Sequence, residues 1–414
     1  MKRQPLHSIL SELEAEHQTR RRTIVDGFVE SGNRLLTTVD GRTLIDFSSN
    51  DYLGLSHHPA IAAEMSACAL RTGAGSAASH LITGHGIEHE RLEEELAAFL
   101  GRERALLFST GYMANLGVMT ALAGRGELVL LDRLSHASII DGALLSGARF
   151  KRYAHADASA AKRAIAESAD EVAVVATDGV FSMDGNIAPL PELAKAATTS
   201  KAWLVVDDAH GIGVLGANGR GSLEHCGMSP DDVPVLVGTL GKALGSFGAF
   251  VAGSRDLIEF LIQKARPYIY TTALPQPVAA ATRKALDLVQ REPWRRERVL
   301  ALTARFRKAA EEAGIALLNS GTPAQSETPI QPVVLGSSEA ALNAQQDLLR
   351  AGFRVVAIRS PTVPKGSERL RVTLSAAHTE EQVDTLGQAL SETILRQRAM
   401  RADVQRSQEG KPGR

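Results

Sequence analysis

Short apolar runs, each closing on small or polar residues, alternate through the middle of the chain with stretches of helical periodicity. Glu127–Asp132, Arg149–His155, Val172–Thr177, Ala202–Asp207 and Val233–Gly238 read as strands, most of them apolar on both faces. Between them, Ser135–Leu145, Ala158–Ala169 and Leu190–Thr199 read as helices. Strands without a polar face that alternate with helices predict an α/β fold with a mostly parallel sheet covered on both sides. Helix Glu88–Leu100 reads as packing alone. Leu92, Leu96, Phe99 and Leu100 share one stripe, the acidic residues face away, and Gly101 caps the end.

The flanks follow another pattern. An amphipathic amino-terminal helix leads to a turn at Asp40-Gly41. Beyond about residue 290, an Arg-rich helix, the run Ile330–Leu335, a helix over Glu339–Ala351 and the strands Arg354–Ile358 and Leu370–Leu374 give a smaller α+β domain. The predicted division is an arm and part of the small domain over 1–60, a large domain over 61–290, the rest of the small domain over 291–395, and a disordered polar tail over 396–414.

Composition narrows the class. The 414 residues are 44% hydrophobic and 22% charged, too apolar for a disordered chain. With 46 basic against 47 acidic side chains there is no global basic field to recommend nucleic-acid binding. No apolar stretch reaches the length of a membrane span, and the amino terminus has no apolar signal core. The two cysteines, Cys68 and Cys226, form no disulfide framework, and no metal-ligand set is read. The expectation is a soluble, cytoplasmic protein.

Chemistry concentrates where strands should end. Gly211-Ile-Gly213-Val-Leu-Gly216 fits a dinucleotide-binding glycine pattern, but turn residues follow it and no helix start is present to hold a pyrophosphate. Val205-Val-Asp207-Asp208-Ala-His210 delivers two carboxylates and an imidazole to the carboxyl end of a strand, the edge where open α/β sheets bind ligands. The next strand closes on Gly238-Thr239-Leu-Gly241-Lys242, so a lysine reaches the same rim; taken alone it is equally a surface residue in a turn. An acid and a lysine so placed are what a pyridoxal phosphate site needs, the amine for a Schiff base and the carboxylate for the pyridine nitrogen. Ser109-Thr110-Gly111-Tyr112, between a strand and a helix start, offers backbone N–H groups to a phosphate or is an ordinary capped turn. Arg369 and Arg371 alternate with apolar residues and share one strand face, as an anion site or as solvated side chains on an edge strand.

Taken together, Ser49–Leu55, Ser109–Tyr112, Asp132–Ser138, Asp178–Gly185, Val206–Gly211, Gly238–Lys242 and Ile358–Pro364 resemble the motifs of the α-oxoamine synthases, in the same order, from about Ile45 to His378. The resemblance implies a fold-type I pyridoxal phosphate enzyme. It assigns Lys242 to the cofactor aldehyde and to removal of the substrate Cα proton. Asp207 pairs with the pyridine nitrogen, His136 stacks on the ring and His210 bonds the ring oxygen. Gly111, Tyr112, Ser182 and Thr239 complete the cofactor shell. Arg371 holds the amino-acid carboxylate with Asn50 nearby. Arg20 contacts substrate, or is part of a charged helix face. Thr362 points to the branch that condenses L-alanine with a pimeloyl thioester, on coenzyme A or acyl carrier protein, over glycine-using relatives. A homodimer is implied. Family members often carry Gly at the position of Ala77 and Arg at that of His80. An aminotransferase on the same scaffold is a second reading. A DNA-binding regulator is a third, for which the residues before the first motif leave little room.

Overall fold

The computed structural model describes residues 5–15, 19, 22–25, 27–28, 36–39, 41–318 and 327–409. Contact clustering separates two units, Asn50–Leu300 with Thr322–Thr328, and Met1–Ser49 with Ala301–Gly321 and Pro329–Arg414. The expected divisions at 60/61 and 290/291 compare with observed ones at 49/50 and 300/301.

In the unit built on Asn50–Leu300, seven strands form one sheet in the order Arg104–Phe108, Ala249–Gly253, Val235–Thr239, Trp203–Asp207, Glu171–Asp178, Glu127–Asp132 and Arg149–Tyr153. Ala249–Gly253 runs antiparallel to both of its neighbours, and the other pairings are parallel. The near-continuous apolar runs have their cause in this arrangement. Glu171–Asp178 buries every residue after the first, because helices cover both faces. Val118, Met119 and Ile139 from Gly111–Leu122 and Ala137–Ser146 pack on Val129, Val174, Val205 and Val251 of the strands. Each such side chain contributes about 1.5–3 kcal/mol by leaving water. The seven-stranded sheet thereby becomes a rigid comb whose carboxyl-end teeth are Phe108, Asp132, Asp178, Asp207 and Thr239.

The glycine pattern 211–216 is a series of turns, followed only by the four-residue helix Ser222–His225. The helix expected from Glu88 spans Ile87–Leu100 and ends, as read, on Gly101 in the left-handed conformation (φ 67°). Its acidic residues do not all face away, however. Glu88 and Glu93 are buried. Glu93 accepts the Leu107 N–H at 2.8 Å, and Glu88 pairs with Arg283 at 2.6 Å. Periodicity cannot see such partners, which lie on other elements.

The second unit holds two small sheets. One has the order Gly27–Phe28, Leu36–Val39, Arg42–Asp46, Phe353–Arg354; the other, Ile330–Val334, Arg369–Thr373, Val356–Ile358. Arg369–Thr373 is therefore a central strand, not an edge, and all five residues are buried. The last helix runs from Glu380 to Glu409, so the segment expected to be a tail from 396 begins inside a helix.

Candidate active site

The strand ends of the large sheet enclose a cavity of about 190 Å³ lined by Gly111, Tyr112, His136, Asp178, Val180, Ser182, Asp207, Ala209, His210, Thr239 and Lys242. Each lining group arrives on a loop directly after a strand or at a helix start, so the sheet fixes its position. Thr110 caps the helix Gly111–Leu122, its hydroxyl accepting the Met113 N–H at 3.2 Å, and Gly111 opens that helix at the cavity wall. Tyr112 is 43% exposed, and its hydroxyl donates to the Asp141 carboxylate.

Asp207 is buried, and both of its carboxylate oxygens are engaged. Oδ2 accepts the Asn115 amide at 2.6 Å, and Oδ1 accepts the Ala209 N–H at 3.1 Å. Asn115 also donates to Ser138 Oγ at 2.9 Å, and that hydroxyl lies 2.7 Å from His136 Nδ1. One buried amide thus couples the orientation of the carboxylate to that of the imidazole. Burial, followed by the positive field of Lys242, lowers the His136 pKa against the opposing pull of Asp207, so the ring is neutral near pH 7. Asp178 accepts the His136 N–H at 3.2 Å; burial, and then the nearby Asp207, raise its pKa well above the usual carboxylate range.

Lys242 Nζ stands 3.0 Å from His210 Nε2, and His210 Nδ1 stands 2.6 Å from the Tyr52 hydroxyl. An ammonium has no acceptor, so His210 Nε2 accepts and Nδ1 carries the proton it gives to Tyr52. The Tyr52 hydroxyl in turn donates to Asn50 Oδ1 at 3.2 Å. The amine therefore sits at one end of a four-residue hydrogen-bond line. Thr239 Oγ1 donates to the Gly248 carbonyl at 3.1 Å, holding the strand end from which the Lys242 loop departs.

The next residue, Asp208, points the other way. It has no solvent exposure and accepts the Ser222 N–H at 2.7 Å. Methyl groups added at Gly179, Gly211 and Gly221 would stand 2.5, 2.1 and 2.0 Å from its carboxylate oxygens. Three glycines are required there because the carboxyl group fills the space a side chain would take. Burial pushes its pKa up to about 7, against the Ser222 N–H.

Of the residues expected from sequence, Gly111, Tyr112, Ser182, His136, Asp207, His210, Thr239 and Lys242 are brought to one cavity, and Asn50 reaches it through Tyr52 and His210. Thr362 and Arg371 belong to the second unit. Arg371 is buried there and donates to Thr373 Oγ1 at 3.2 Å. Arg20 lies outside the described residues. The sequence reading gave no role to Asn115, Tyr52 or Asp178. Tyr52 and Asp178 stand inside the quoted motifs and Asn115 just past Ser109–Tyr112, but only the fold shows which partner each one faces. The donor set fits pyridoxal 5′-phosphate. It has an amine for the aldehyde, a braced carboxylate for the ring nitrogen, a neutral imidazole, and a capped helix start for the phosphate.

Residues 42–390 match the family model for class I and II aminotransferases. The 8-amino-7-oxononanoate synthase of Methylococcus capsulatus is 57% identical over 94% of this chain and 97% of that one. The chain belongs to this family. Among solved structures, the 8-amino-7-oxononanoate synthase of Francisella tularensis superposes with a TM-score of 0.74 at 31% identity, covering 86% of this chain and 98% of that one. A serine palmitoyltransferase of S. paucimobilis with bound pyridoxal phosphate and myriocin superposes with a TM-score of 0.86 at 31% identity, covering 94% and 96%. The fold is thus that of the fold-type I pyridoxal phosphate transferases, and the relatives at high identity select the branch. No helix among the described residues is long and apolar enough to cross a membrane.

Proposed function

We propose that this chain condenses L-alanine with a pimeloyl thioester to give 8-amino-7-oxononanoate, carbon dioxide and a free thiol, the acyltransferase step of biotin synthesis. The observation that carries the chemistry is Lys242 Nζ at 3.0 Å from His210 in a cavity whose wall also presents the braced carboxylate of Asp207. Pyridoxal phosphate bound there supplies a carbonyl that takes up amines and a ring that withdraws electrons from the neighbouring carbon.

The chain's own residues do the rest. Lys242 Nζ anchors the cofactor and then takes the Cα proton of alanine; its neighbour His210 keeps it oriented. Asp207, immobilised by Asn115 and Ala209, would hold positive charge at the ring nitrogen without having to reorganise as charge develops. His136, whose neutral form burial favours, would support the ring without competing with Lys242 for the proton. Gly111, Tyr112, Ser182 and Thr239 would hold the cofactor, and Asn50, Arg371 and Arg20 are the residues assigned to the substrate carboxylates. The new bond joins alanine Cα to the thioester carbonyl carbon as the C–S bond breaks. The amino-acid carboxylate leaves as carbon dioxide, and a proton returned to Cα completes the amino ketone.

The proposal includes a cytoplasmic homodimer, an acyl group arriving on coenzyme A or acyl carrier protein, and selection of alanine by the segment carrying Thr362. Incubation with alanine and pimeloyl-coenzyme A should release thiol and a product of the amino ketone's mass, and the same assay with pimeloyl acyl carrier protein ranks the two donors. Turnover with glycine and none with alanine would overturn the substrate assignment. The fold likeness to serine palmitoyltransferase favours one second reading, serine with a long-chain acyl thioester, and the same assay decides it.

A further inference from the structure

The segment from residue 80 to the first turn of the helix Ile87–Leu100 gathers three imidazoles that the reaction above does not use. His80 begins the π-turn His80–Gly84, His85 follows it, and His89 sits in the first turn of the helix. One ring nitrogen of each lies within 4.8 Å of those of the other two. His80 and His89 are buried, and the His85 side chain is 25% exposed, so an ion has a way in from solvent.

The hydrogen bonds fix where the lone pairs point. His85 Nε2 is 3.1 Å from the Glu90 carboxylate, which can only accept, so this nitrogen carries the proton. His85 Nδ1 is then a lone pair, and it lies 2.9 Å from His80 Nδ1. His89 Nε2 is 2.6 Å from the Leu274 carbonyl, which again only accepts, leaving Nδ1 as the lone pair. Metal-bound imidazoles characteristically have the remote N–H held by a carboxylate or a carbonyl, as in these two rings. Rotating the tautomer of His80, whose ring is stacked on Tyr268 at 4.8 Å, supplies the third. An ion must displace two bonds, the one between His80 Nδ1 and His85 Nδ1 at 2.9 Å and the Gly86 N–H that His89 Nδ1 accepts at 2.9 Å. Burial, with the neighbouring imidazoles, moves the His80 pKa down to about 3 and lowers that of His89, which favours the neutral, ligand-competent form of both rings. A second grouping, His85 with Glu90 and Glu93, is less suited, because Glu93 is committed to the Leu107 N–H.

The geometry points to a divalent transition-metal site formed by His80, His85 and His89, taking a borderline ion of the Zn²⁺, Co²⁺ or Ni²⁺ class with at least one position open to water. Three imidazoles suit these ions and not Mg²⁺ or Ca²⁺, which prefer oxygen.

The test uses the full chain loaded with pyridoxal phosphate and stripped of metal with a chelator. Titration with Zn²⁺ by calorimetry, and with Co²⁺ by visible absorption, should show one saturable ion per chain, with the intense bands of four- or five-coordinate Co²⁺. His80→Arg and His85→Asn should each abolish that binding while leaving cofactor loading, read from its absorbance, unchanged. Glu90→Gln, which alters only the support of His85, should weaken binding by about 10–100-fold. Absence of saturable binding overturns the proposal. So does binding that survives both ligand substitutions, which would place the ion at the cofactor pocket instead.

Discussion

Two buried polar regions of the same unit contrast sharply: the rim of the large sheet and the block formed by residues 79–93. At the rim, every ionic group either ends a strand, as Asp178 and Asp207 do, or follows closely on one, as His136, His210 and Lys242 do, so the backbone delivers it and the apolar strand announces it in the sequence. In the block, Glu88, His89 and Glu93 are interior groups on a helix whose pattern reads as plain amphipathic packing, and their partners Arg283, Leu274 and Leu107 are far away in the chain. The rim arranges charge to be used on a ligand. The block gives its buried carboxylates partners on other elements, and burial lowers the pKa of His80 and of His89.

The largest effect that tests this contrast is at the rim. Lys242→Ala should bind the cofactor without covalent anchorage and lose about 10²–10⁴-fold in kcat, the range for removing a positioned base. An activity within a few-fold of the parent would remove the basis for the rim's role. Asp207→Asn should follow at about 10²–10³-fold, typical of losing one preorganised electrostatic partner. Its signature is a cofactor that still loads, because Lys242 is untouched, with KM for alanine little changed and kcat reduced.

A smaller effect is expected behind the rim. Gly211→Ala puts a methyl group 2.1 Å from Asp208 Oδ1, and Asp208 has no room to retreat between Gly179 and Gly221. The cost should be about 1–3 kcal/mol of stability, measured by denaturant midpoint at constant slope, as for an overpacked core. Since His210 is the adjacent residue, kcat should fall as well; a variant as stable and active as the parent would show that the glycine cradle is incidental.

These cases also show what the chain discloses before folding. Strand ends at Asp207 and Thr239 were legible because parallel strands buried on both faces are long apolar words with polar punctuation, and the resemblance turned that punctuation into roles. Arg371 was legible as a cation but not as a residue of a central strand, since strand order is set by non-local pairing with Ile330–Val334 and Val356–Ile358. Asn115 lies just past the motif Ser109–Tyr112, and its bond to Asp207 joins a helix to a strand 92 positions on. The histidine block was missed because His85 and His89 have metal-like spacing only on a helix start, and the third ring comes from a π-turn that no periodicity predicts.

The gentlest probe is in the block. Burial pushes the Glu93 pKa from 4.5 up to about 8, opposed by the Leu107 N–H. The folded state therefore holds a proton that the unfolded state releases near pH 4.5, and the sign follows from linkage. Between pH 4.5 and about 8 the folded chain binds more protons at this site, so its contribution to stability declines as pH rises, by at most about 1.4 kcal/mol per pH unit. Glu93→Gln keeps an oxygen for Leu107 and removes the titration. Its unfolding free energy should lose that slope, and the advantage over the parent should grow from pH 6 to pH 8. Parallel pH profiles for the two proteins would mean that Glu93 is ionised in the folded state, and that the block, like the rim, maintains a buried negative charge.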